Sequence, residues 1–321
     1  MPTSRPLKVG FQIPHWEGGF GGKTPRWTDV LALARQAEDV GFDSLWVVDH
    51  ALTLDAEFFT GIGLPVPPEF ADEMPGGYWE GWTLLTALAA TTHRIELGTL
   101  VACTGYRNPA LLAKMADTLD EISGGRLILG LGAGDSMFEH RAMGYPTDQL
   151  ISRFEEALTI VRRLLREGSL DFAGTYYRLE GFELRPRGAR PGGPPILLGT
   201  LATRPRMLRL TARHADVWNG WIAFGRNHPD VVPPMRERID AACRAEGRDP
   251  ASLQRSLAVQ IAFFGRRVPG SEPITGSPEE VAASLRALAA EGIGHVQVIL
   301  APTTSETVAG FRVVLDLLDR G

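Results

Sequence analysis

The sequence predicts a (β/α)8 barrel, because eight short apolar runs alternate with longer segments of helical period. The runs are rich in β-branched residues and nearly continuous in apolar residues, as expected for parallel strands buried on both faces. In this chain of 321 residues the strands are predicted at 7–13, 44–48, 95–101, 126–132, 195–199, 215–219, 257–264 and 295–300. Right-handed crossovers add each strand beside the last until the sheet closes; an open doubly wound sheet is the alternative.

Start and stop signals mark the helices between these strands. Three of them open at a proline that follows a capping residue and end near a glycine, at 24–41, 108–124 and 277–292. The segment 153–167 repeats apolar residues every three or four positions, which indicates one stripe of an amphipathic helix. Further helices are predicted at 82–92, 203–214, 229–246 and 305–319.

Two insertions interrupt the alternating pattern. Residues 51–80, after strand two, are rich in Gly, Pro and aromatic residues, and 169–194, before strand five, contains a predicted hairpin. Neither insertion is long enough to form a domain of its own. We therefore predict a single barrel domain over 1–321.

Composition excludes several classes of protein. The 33 basic and 38 acidic residues are interspersed and give a net charge of −5, so nucleic acid is not an expected partner. The two cysteines, Cys103 and Cys243, indicate neither a disulfide framework nor a zinc site. No signal peptide or membrane-spanning run is evident, and we expect a cytoplasmic protein with no membrane partner.

The predicted ends of strands two and four carry candidate catalytic groups, since active sites of such barrels lie at the C-terminal ends of the strands. Asp49 and His50 follow strand two, and the imidazole can exchange a proton near neutral pH. The alternative is that Asp49 accepts backbone hydrogen bonds in a turn and His50 only lines the rim. Asp135 and Glu139 follow strand four as candidate acid or base groups; solvated loop carboxylates are the alternative.

Glycines and aromatic residues at the strand ends favour a flat ligand. Gly130-x-Gly132-x-Gly134 would let a planar ring approach the backbone of strand four, although tight barrel packing needs glycine as well. Five tryptophans near strand ends favour an aromatic-lined pocket, with ordinary core or rim packing as the alternative: Trp16, Trp79, Trp82, Trp218 and Trp221.

Two features predict an anion site at the same end. Gly199, Thr200 and Leu201 precede a helix N-terminus, where backbone N–H groups and the helix dipole favour a phosphate. Arg107, after strand three, could reach the same phosphate with its fork of donors. A simple N-cap and an exposed loop arginine are the alternatives.

The segments 42–50, 95–134, 153–158 and 195–219 closely resemble the bacterial luciferase-like family of flavin- and coenzyme F420-dependent oxidoreductases. The resemblance implies a luciferase-like TIM barrel with coenzyme F420, or alternatively FMN, at its C-terminal mouth and Asp49 beside the deazaflavin. It implies a cis peptide at Leu100–Val101 behind the ring. The remaining cofactor-binding residues it implies are Thr99, Leu100, Val101, Thr104, Arg107, Gly132, Ala133, Gly134, Gly199, Thr200 and Leu201.

The expected reaction is hydride transfer between coenzyme F420 and a small organic substrate, with His50 donating or accepting the proton and Asp49 orienting it. Asp135 stands where one branch of the family has a glutamate proton donor. An FMNH2-dependent monooxygenase, supplied by a flavin reductase, is the alternative. A flavin-binding protein without catalysis and a metal-dependent barrel hydrolase using Asp49 and His50 lie outside this class, although no metal site is predicted. Relatives are often dimers, so a homodimer is among the expected states.

Overall fold

Parallel strands close into a barrel, as the sequence predicts. The computed structural model describes residues 5–52, 60, 66, 76–200, 202–263 and 271–320. Its strands are β1 (Lys8–Gln12), β2 (Ser44–Val47), β3 (Glu96–Thr99), β4 (Ala102–Cys103), β5 (Leu127–Gly132), β6 (Ser169–Ala173), β7 (Arg178–Glu183), β8 (Ile196–Gly199), β9 (Val217–Trp221), β10 (Gln254–Ala262) and β11 (His295–Ala301). The short β4 continues the course of β3, and β6 with β7 forms a separate hairpin.

The pairing of β3 with β5 closes the sheet. The order runs β3, β2, β1, β11, β10, β9, β8, β5, and the first and last of these strands also pair through Leu97 with Leu127 and Gly98 with Ile128. All these pairings are parallel. The barrel is therefore closed, and the alternative of an open doubly wound sheet was wrong.

Helices lie between the strands where the sequence predicts them, and the short helix Met137–Ala142 is an addition that was not predicted. They are α1 (Trp27–Val40), α2 (Gly81–Thr91), α3 (Pro109–Ser123), α4 (Met137–Ala142), α5 (Leu150–Glu167), α6 (Pro205–His214), α7 (Val232–Ala245), α8 (Pro278–Ala290) and α9 (Ser305–Asp319). In α3, the Asn108 side chain accepts from Ala110 N and Gly124 ends the helix at a φ of 67°. Over the described ranges, no helix is long and apolar enough to cross a membrane.

The second insertion contains the predicted hairpin. Strands β6 and β7 pair antiparallel, and Glu156 of α5 accepts hydrogen bonds from the backbone N–H groups of Thr175, Tyr176 and Tyr177 in the connecting turn. This carboxylate ties the hairpin to the barrel. Most of the first insertion lies outside the described residues.

The barrel interior has an apolar side and a polar side. One buried cluster fills the side formed mainly by β2, the β3–β4 segment, β5 and β8: Trp46, Leu100, Ile128, Leu197, Val217 and Ala258. Opposite it, Asn219 of β9 donates to Ser256 Oγ of β10 at 2.9 Å and to Gln297 Oε1 of β11 at 2.7 Å. Val101 and Trp221 pack against the apolar cluster and remain partly exposed at the C-terminal end of the strands, which we call the mouth.

Candidate active site

The predicted site segments converge on the mouth of the barrel. The ends of β2, the β3–β4 segment, β5 and β8 are neighbours in the closed sheet. The peptide bond between Leu100 and Val101 is cis, as the resemblance implied. Val101 presents a partly exposed side chain beside Gly132 and Gly199, where an added Cβ would lie 2.6 Å and 3.2 Å from its methyl groups. We call this partly exposed apolar surface the Val101 shelf.

His50 is held by a buried carboxylate at the edge of the mouth. Its Nδ1 lies 2.6 Å from Oε2 of Glu139, which is fully buried on α4. The other oxygen of Glu139 accepts from the backbone N–H groups of Ala51 at 2.6 Å and Leu52 at 2.9 Å. Tyr106 donates its hydroxyl to Oε2 at 3.3 Å. The alternative that Glu139 is a solvated loop carboxylate was wrong, because α4 turns it inward against the segment after β2.

The charges around His50 favour its protonated form. Burial alone lowers the pKa of an imidazole, but the hydrogen bond that His50 donates to Glu139 and the negative charges of Asp135, Glu139 and Asp49 outweigh it and raise the pKa of His50 to about 9. The partner shifts in the complementary direction: burial raises the pKa of Glu139, while the contacts with His50 hold it below its usual value. At neutral pH the pair is an imidazolium and a carboxylate.

Asp49 is occupied by Arg107 and by the backbone after β3. Both guanidinium nitrogens of Arg107 donate to its carboxylate, at 2.6 Å and 2.9 Å, and Cys103 N donates to Oδ2 at 2.9 Å. Arg107 also donates to Glu80 at 2.9 Å. The carboxylate that orients His50 is thus Glu139, a correction to the expectation that Asp49 would do so.

The glycines after β5 serve packing within the protein. A Cβ on Gly130 would overlap the carbonyl oxygen of Thr99, and one on Gly134, whose φ is 90°, would lie 2.6 Å from the ring of His140. Together with Gly132 beside the Val101 shelf, all three positions make room for neighbouring residues of the same chain. The packing alternative therefore accounts for the three glycines.

Two of the three predicted threonines use their hydroxyl groups inside the barrel wall. Thr99 donates to the carbonyl of Gly130 at 2.7 Å, and Thr104 donates to that of Gly132 at 3.3 Å. Thr104, Arg107 and Ala133 also line a side cavity of about 230 Å³ next to the mouth. Three of the predicted cofactor-binding residues thus share one cavity, which also includes Tyr106, Asn108, His140, Tyr145, Arg153 and Tyr177.

The loop after β8 offers less of an anion cradle than its sequence predicts. The N–H of Thr200 donates to the carbonyl of Asn219 at 2.9 Å, and that of Ala202 donates to the hydroxyl of Thr200 at 3.3 Å. These two N–H groups are therefore occupied. Gly199 and Thr200 are partly exposed at the mouth, and Leu201 lies outside the described residues.

Aromatic rings form one wall of the mouth, next to His50. Tyr78 packs against His50, His15 and Trp16 with ring centroids 5.7, 5.3 and 5.9 Å away. Burial lowers the pKa of His15 to about 4, so its ring is neutral. We call His15, Trp16 and Tyr78 the aromatic wall. Asp135 lies exposed at the rim and acts on His50 through its charge.

Unpaired polar atoms lie on the polar side of the floor. Gln12 Oε1, Gln297 Nε2 and Trp221 Nε1 are buried atoms with no hydrogen-bond partner in the part of the chain that the structure describes. Gln12 is 6% exposed and Gln297 is fully buried. Groups of three or more His, Cys, Asp or Glu that could hold a metal ion are absent from the described residues.

With this geometry established, comparison with known proteins identifies the family. A family model described as luciferase-like monooxygenase matches residues 7–264. The chain belongs to the luciferase-like monooxygenase family. This luciferase-like chain is 31% identical over 223 residues to a 5,10-methylenetetrahydromethanopterin reductase from Archaeoglobus fulgidus, covering 70% of this chain and 57% of that protein.

Two further matches agree with this family. A phthiodiolone/phenolphthiodiolone dimycocerosates ketoreductase from Mycobacterium bovis is 32% identical over 260 residues, covering 79% of this chain and 65% of that protein. The luciferase-like chain thus spans about three fifths of the length of these two relatives. The coenzyme F420 dependent tetrahydromethanopterin reductase from Methanopyrus kandleri has the same fold, with a TM-score of 0.72, 16% identity and coverage of 96% and 97% of the two chains.

The sequence named Glu139 as a candidate acid or base but did not predict its contact with His50. It did not point to Gln12 or Gln297 at all. The spacing of Ser136 and Glu139 is that of a helix start, and Ser136 does accept from Glu139 N at 3.2 Å. That signal places Glu139 in a first turn but does not show that its carboxylate faces His50. For Gln12 and Gln297 no local signal exists, because a glutamine on a buried strand reveals neither its partner nor the lack of one.

Proposed function

We propose that this protein is an oxidoreductase that transfers a hydride between coenzyme F420 and a small organic carbonyl compound or alcohol. The observation that carries the proposal is the contact of the His50 imidazole with the buried Glu139 at the mouth of the barrel, 2.6 Å between Nδ1 and Oε2. Reduction of a carbonyl requires one hydride and one proton. An acid that stays protonated at neutral pH supplies the second of these.

The mouth supports a planar redox cofactor. The Val101 shelf gives one flat apolar surface, and the unpaired polar atoms on the floor and the acid at the edge leave the opposite side polar. When bound, the deazaflavin supplies a carbon that donates or accepts the hydride. Val101 would contact the ring, and Thr104, Arg107 and Ala133 line the adjoining cavity into which the remainder of the cofactor could extend.

The chain's own residues perform the proton transfer. Glu139 holds Nδ1 of His50 and keeps the ring charged, so the second nitrogen, Nε2, carries the proton that passes to the substrate oxygen. In the reverse direction neutral His50 would accept the proton of the alcohol, and the raised pKa of His50 favours this acceptance. Because the contact with Glu139 keeps His50 protonated near neutral pH, we expect reduction to be the faster direction there.

The relatives support the same class of reaction. Two curated proteins more than 30% identical to this chain are named a reductase and a ketoreductase. The solved tetrahydromethanopterin reductase with the same fold is described as coenzyme F420 dependent. The Asp49-His50 pair, which resembles that of F420-using members, adds to this support.

An FMNH2-dependent monooxygenase, with a flavin reductase as its partner, is the second candidate, favoured by the description of the family model. The pairing of Arg107 does not separate the two candidates, because FMN and coenzyme F420 both carry a phosphate. Arg107, the candidate for that phosphate, is already paired with both Asp49 and Glu80. The phosphate of either cofactor would have to compete with two carboxylates for this guanidinium.

Separate titrations with oxidised coenzyme F420 and FMN, followed by anaerobic assays of reduced F420 with a panel of ketones, test the proposal. We expect F420 to bind and ketones to oxidise its reduced form. The variant His50→Gln should lower kcat at least about 100-fold while the F420 dissociation constant stays within about twofold. His228→Gln, a change of an exposed histidine, is the control. Oxygen consumption with reduced FMN and no reaction with reduced F420 would replace the proposal by the second candidate.

A further inference from the structure

We propose that Gln12, Gln297 and Trp221, the polar floor set, recognise an uncharged substrate head group that carries a hydrogen-bond acceptor next to a donor. A hydroxyketone or a carboxamide is of this class. The inference rests on the proposed function in one respect: the cofactor ring is taken to lie on the Val101 side of the mouth, which leaves the opposite side to the substrate.

Strand register brings the three residues together. Gln297 on β11 and Trp221 on β9 both pair with Ala258 of the intervening β10. Neighbouring strands are about 4.8 Å apart, so two large side chains flank one methyl group. Gln12 lies two residues beyond Gly10, which pairs with Gln297 on the other side. Because every second residue of a strand faces the barrel interior, Gln12 faces inward like Gly10 and lies two residues nearer the mouth than Gln297 does.

The hydrogen bonds on the polar side of the floor determine which atoms of Gln297 remain for a ligand. The side-chain nitrogen of Asn219 donates to Gln297 Oε1 at 2.7 Å and to Ser256 Oγ at 2.9 Å. The hydroxyl of Ser256 in turn donates to the carbonyl of Trp218 at 3.2 Å. The carbonyl end of Gln297 is therefore used, and its NH2 group is the end without a partner.

The set presents two donors and one acceptor. The indole N–H of Trp221 can only donate, the NH2 of Gln297 donates, and Oε1 of Gln12 accepts. Buried polar atoms in folded proteins are nearly always paired, so a ligand that supplies the missing partners gains hydrogen bonds that the protein alone does not make. A carbonyl oxygen facing the two donors and a hydroxyl or amide N–H facing Gln12 would satisfy all three.

The surroundings select against charge. The inward-facing neighbours Asn219, Ser256 and Gln260 are neutral, and Gln260 is engaged by Ser271 at 2.9 Å. Burial lowers the pKa of His295, deeper in the same side, to about 3, so that ring is neutral as well. A carboxylate or ammonium placed on this floor would lose its hydration without gaining a counter-charge from these neighbours, as far as the described residues show. The aromatic wall, whose His15 and Trp16 follow β1 and therefore Gln12, suits an apolar body behind the neutral head.

Three probes that share one ring test the inference: benzamide, benzoate and benzylamine, titrated by calorimetry into the protein with and without coenzyme F420. We expect benzamide to bind at least about tenfold more tightly than either charged probe. The variant Gln297→Met keeps the size of the side chain and Trp221→Phe keeps an aromatic ring, and each removes the free donor. Each should weaken benzamide binding about three- to tenfold and leave the F420 dissociation constant within twofold. Gln254→Leu, at an exposed position on β10, is the control.

Each outcome has a distinct meaning. Equal binding of the three probes, or benzamide binding that neither variant changes, would overturn the inference. Variants that weaken F420 binding but leave benzamide binding unchanged would assign the polar floor set to the cofactor. That result would overturn the inference and leave the proposed function intact. Discrimination among the probes in a protein that binds no F420 would support the neutral floor and refute only the proposed function. Melting temperatures of the two variants close to that of the parent protein establish that they are folded.

Discussion

Glu139 sets the protonation state of His50, and the pH dependence of the reaction should reveal it. In Glu139→Gln the negative charge that raises the pKa of His50 is lost and any remaining hydrogen bond is to a neutral amide, while the burial that lowers the pKa remains. The parent enzyme should lose reductase activity as pH rises through about 9, with the raised pKa of His50. The variant should lose it about 2 pH units lower. Profiles of kcat against pH measure both.

Asp135→Asn is the matched control for this prediction. Asp135 is exposed and acts on His50 through its charge, which water screens. The pH profile of Asp135→Asn should therefore differ from that of the parent enzyme by less than about 1 pH unit. A Glu139→Gln profile that coincides with the parent profile would remove Glu139 from its positioning role.

The same ion pair should make stability depend on pH. The pKa of His50 is raised on folding, so its contribution is complete below about 6.5 and is lost as pH rises through about 9. The pKa of Glu139 is lowered from 4.5, so its contribution is present above that value and is lost as pH falls through the folded pKa. The difference in unfolding free energy between the parent and Glu139→Gln should therefore be largest near pH 5 to 6. Urea titrations at pH 5.5 and pH 9.5 that give equal differences would contradict this.

At the scale of elements, the seam between β3 and β5 depends on a glycine. A Cβ at Gly130 would overlap the carbonyl oxygen of Thr99, whose hydroxyl in turn donates to the carbonyl of Gly130 at 2.7 Å. Gly130→Ala should lower the unfolding free energy by about 1–3 kcal/mol, because the seam that closes the barrel must separate. Gly192→Ala, where an added Cβ meets nothing within 4 Å, is the control for denaturant unfolding. Equal denaturant midpoints for the two variants would show that the β3–β5 seam accommodates the added methyl group without loss of stability.

The hairpin depends in the same way on one helix carboxylate. Glu156→Ala leaves three backbone N–H groups of the turn, at Thr175, Tyr176 and Tyr177, without their acceptor. We expect local opening to become easier by about 1–3 kcal/mol and amide exchange at 175–177 to accelerate accordingly. Glu180→Ala, which removes only an exposed pair with Arg178, should leave that exchange unchanged. Unchanged exchange in Glu156→Ala would mean that the turn is held by other contacts.

The elements were predictable because their signals are local. Proline at helix starts, glycine at helix ends and apolar runs for strands depend on neighbours in the chain, and α3 begins and ends within one residue of its predicted bounds. α1 begins at Trp27, two residues after Pro25, because the N–H of Arg26 bonds the side chain of Asp29 and caps the helix there. The cis peptide at Leu100–Val101 was predictable only from family resemblance.

At the scale of the whole molecule, the closed barrel was predictable and the partners at its mouth were not. Right-handed crossovers between parallel strands leave few topologies, and closure brings the ends of the strands together. His50 and Glu139, however, are 89 residues apart, and nothing in either segment reports the other. The same limit applies to Arg107 and Asp49, since the distant carboxylate takes the guanidinium that the sequence assigned to a phosphate.

The division of the barrel interior is also a property of the whole molecule. Residues from strands far apart in sequence place the apolar Val101 shelf and the unpaired amide groups of Gln12 and Gln297 at one mouth, with Trp221 packed against the apolar cluster while its indole N–H is unpaired among the described residues. A flat cofactor and a neutral substrate would each find a matching side. His50 lies at the edge, where a proton can reach the substrate.

A crystal structure of the protein grown with coenzyme F420, with FMN offered in a parallel crystal, tests the central claim most directly. The account predicts deazaflavin density against Val101, with the imidazole of His50 facing the open side of the ring and still bonded to Glu139. A mouth that binds neither cofactor, or a ring seated away from Val101 with His50 out of reach of its substrate side, would contradict it.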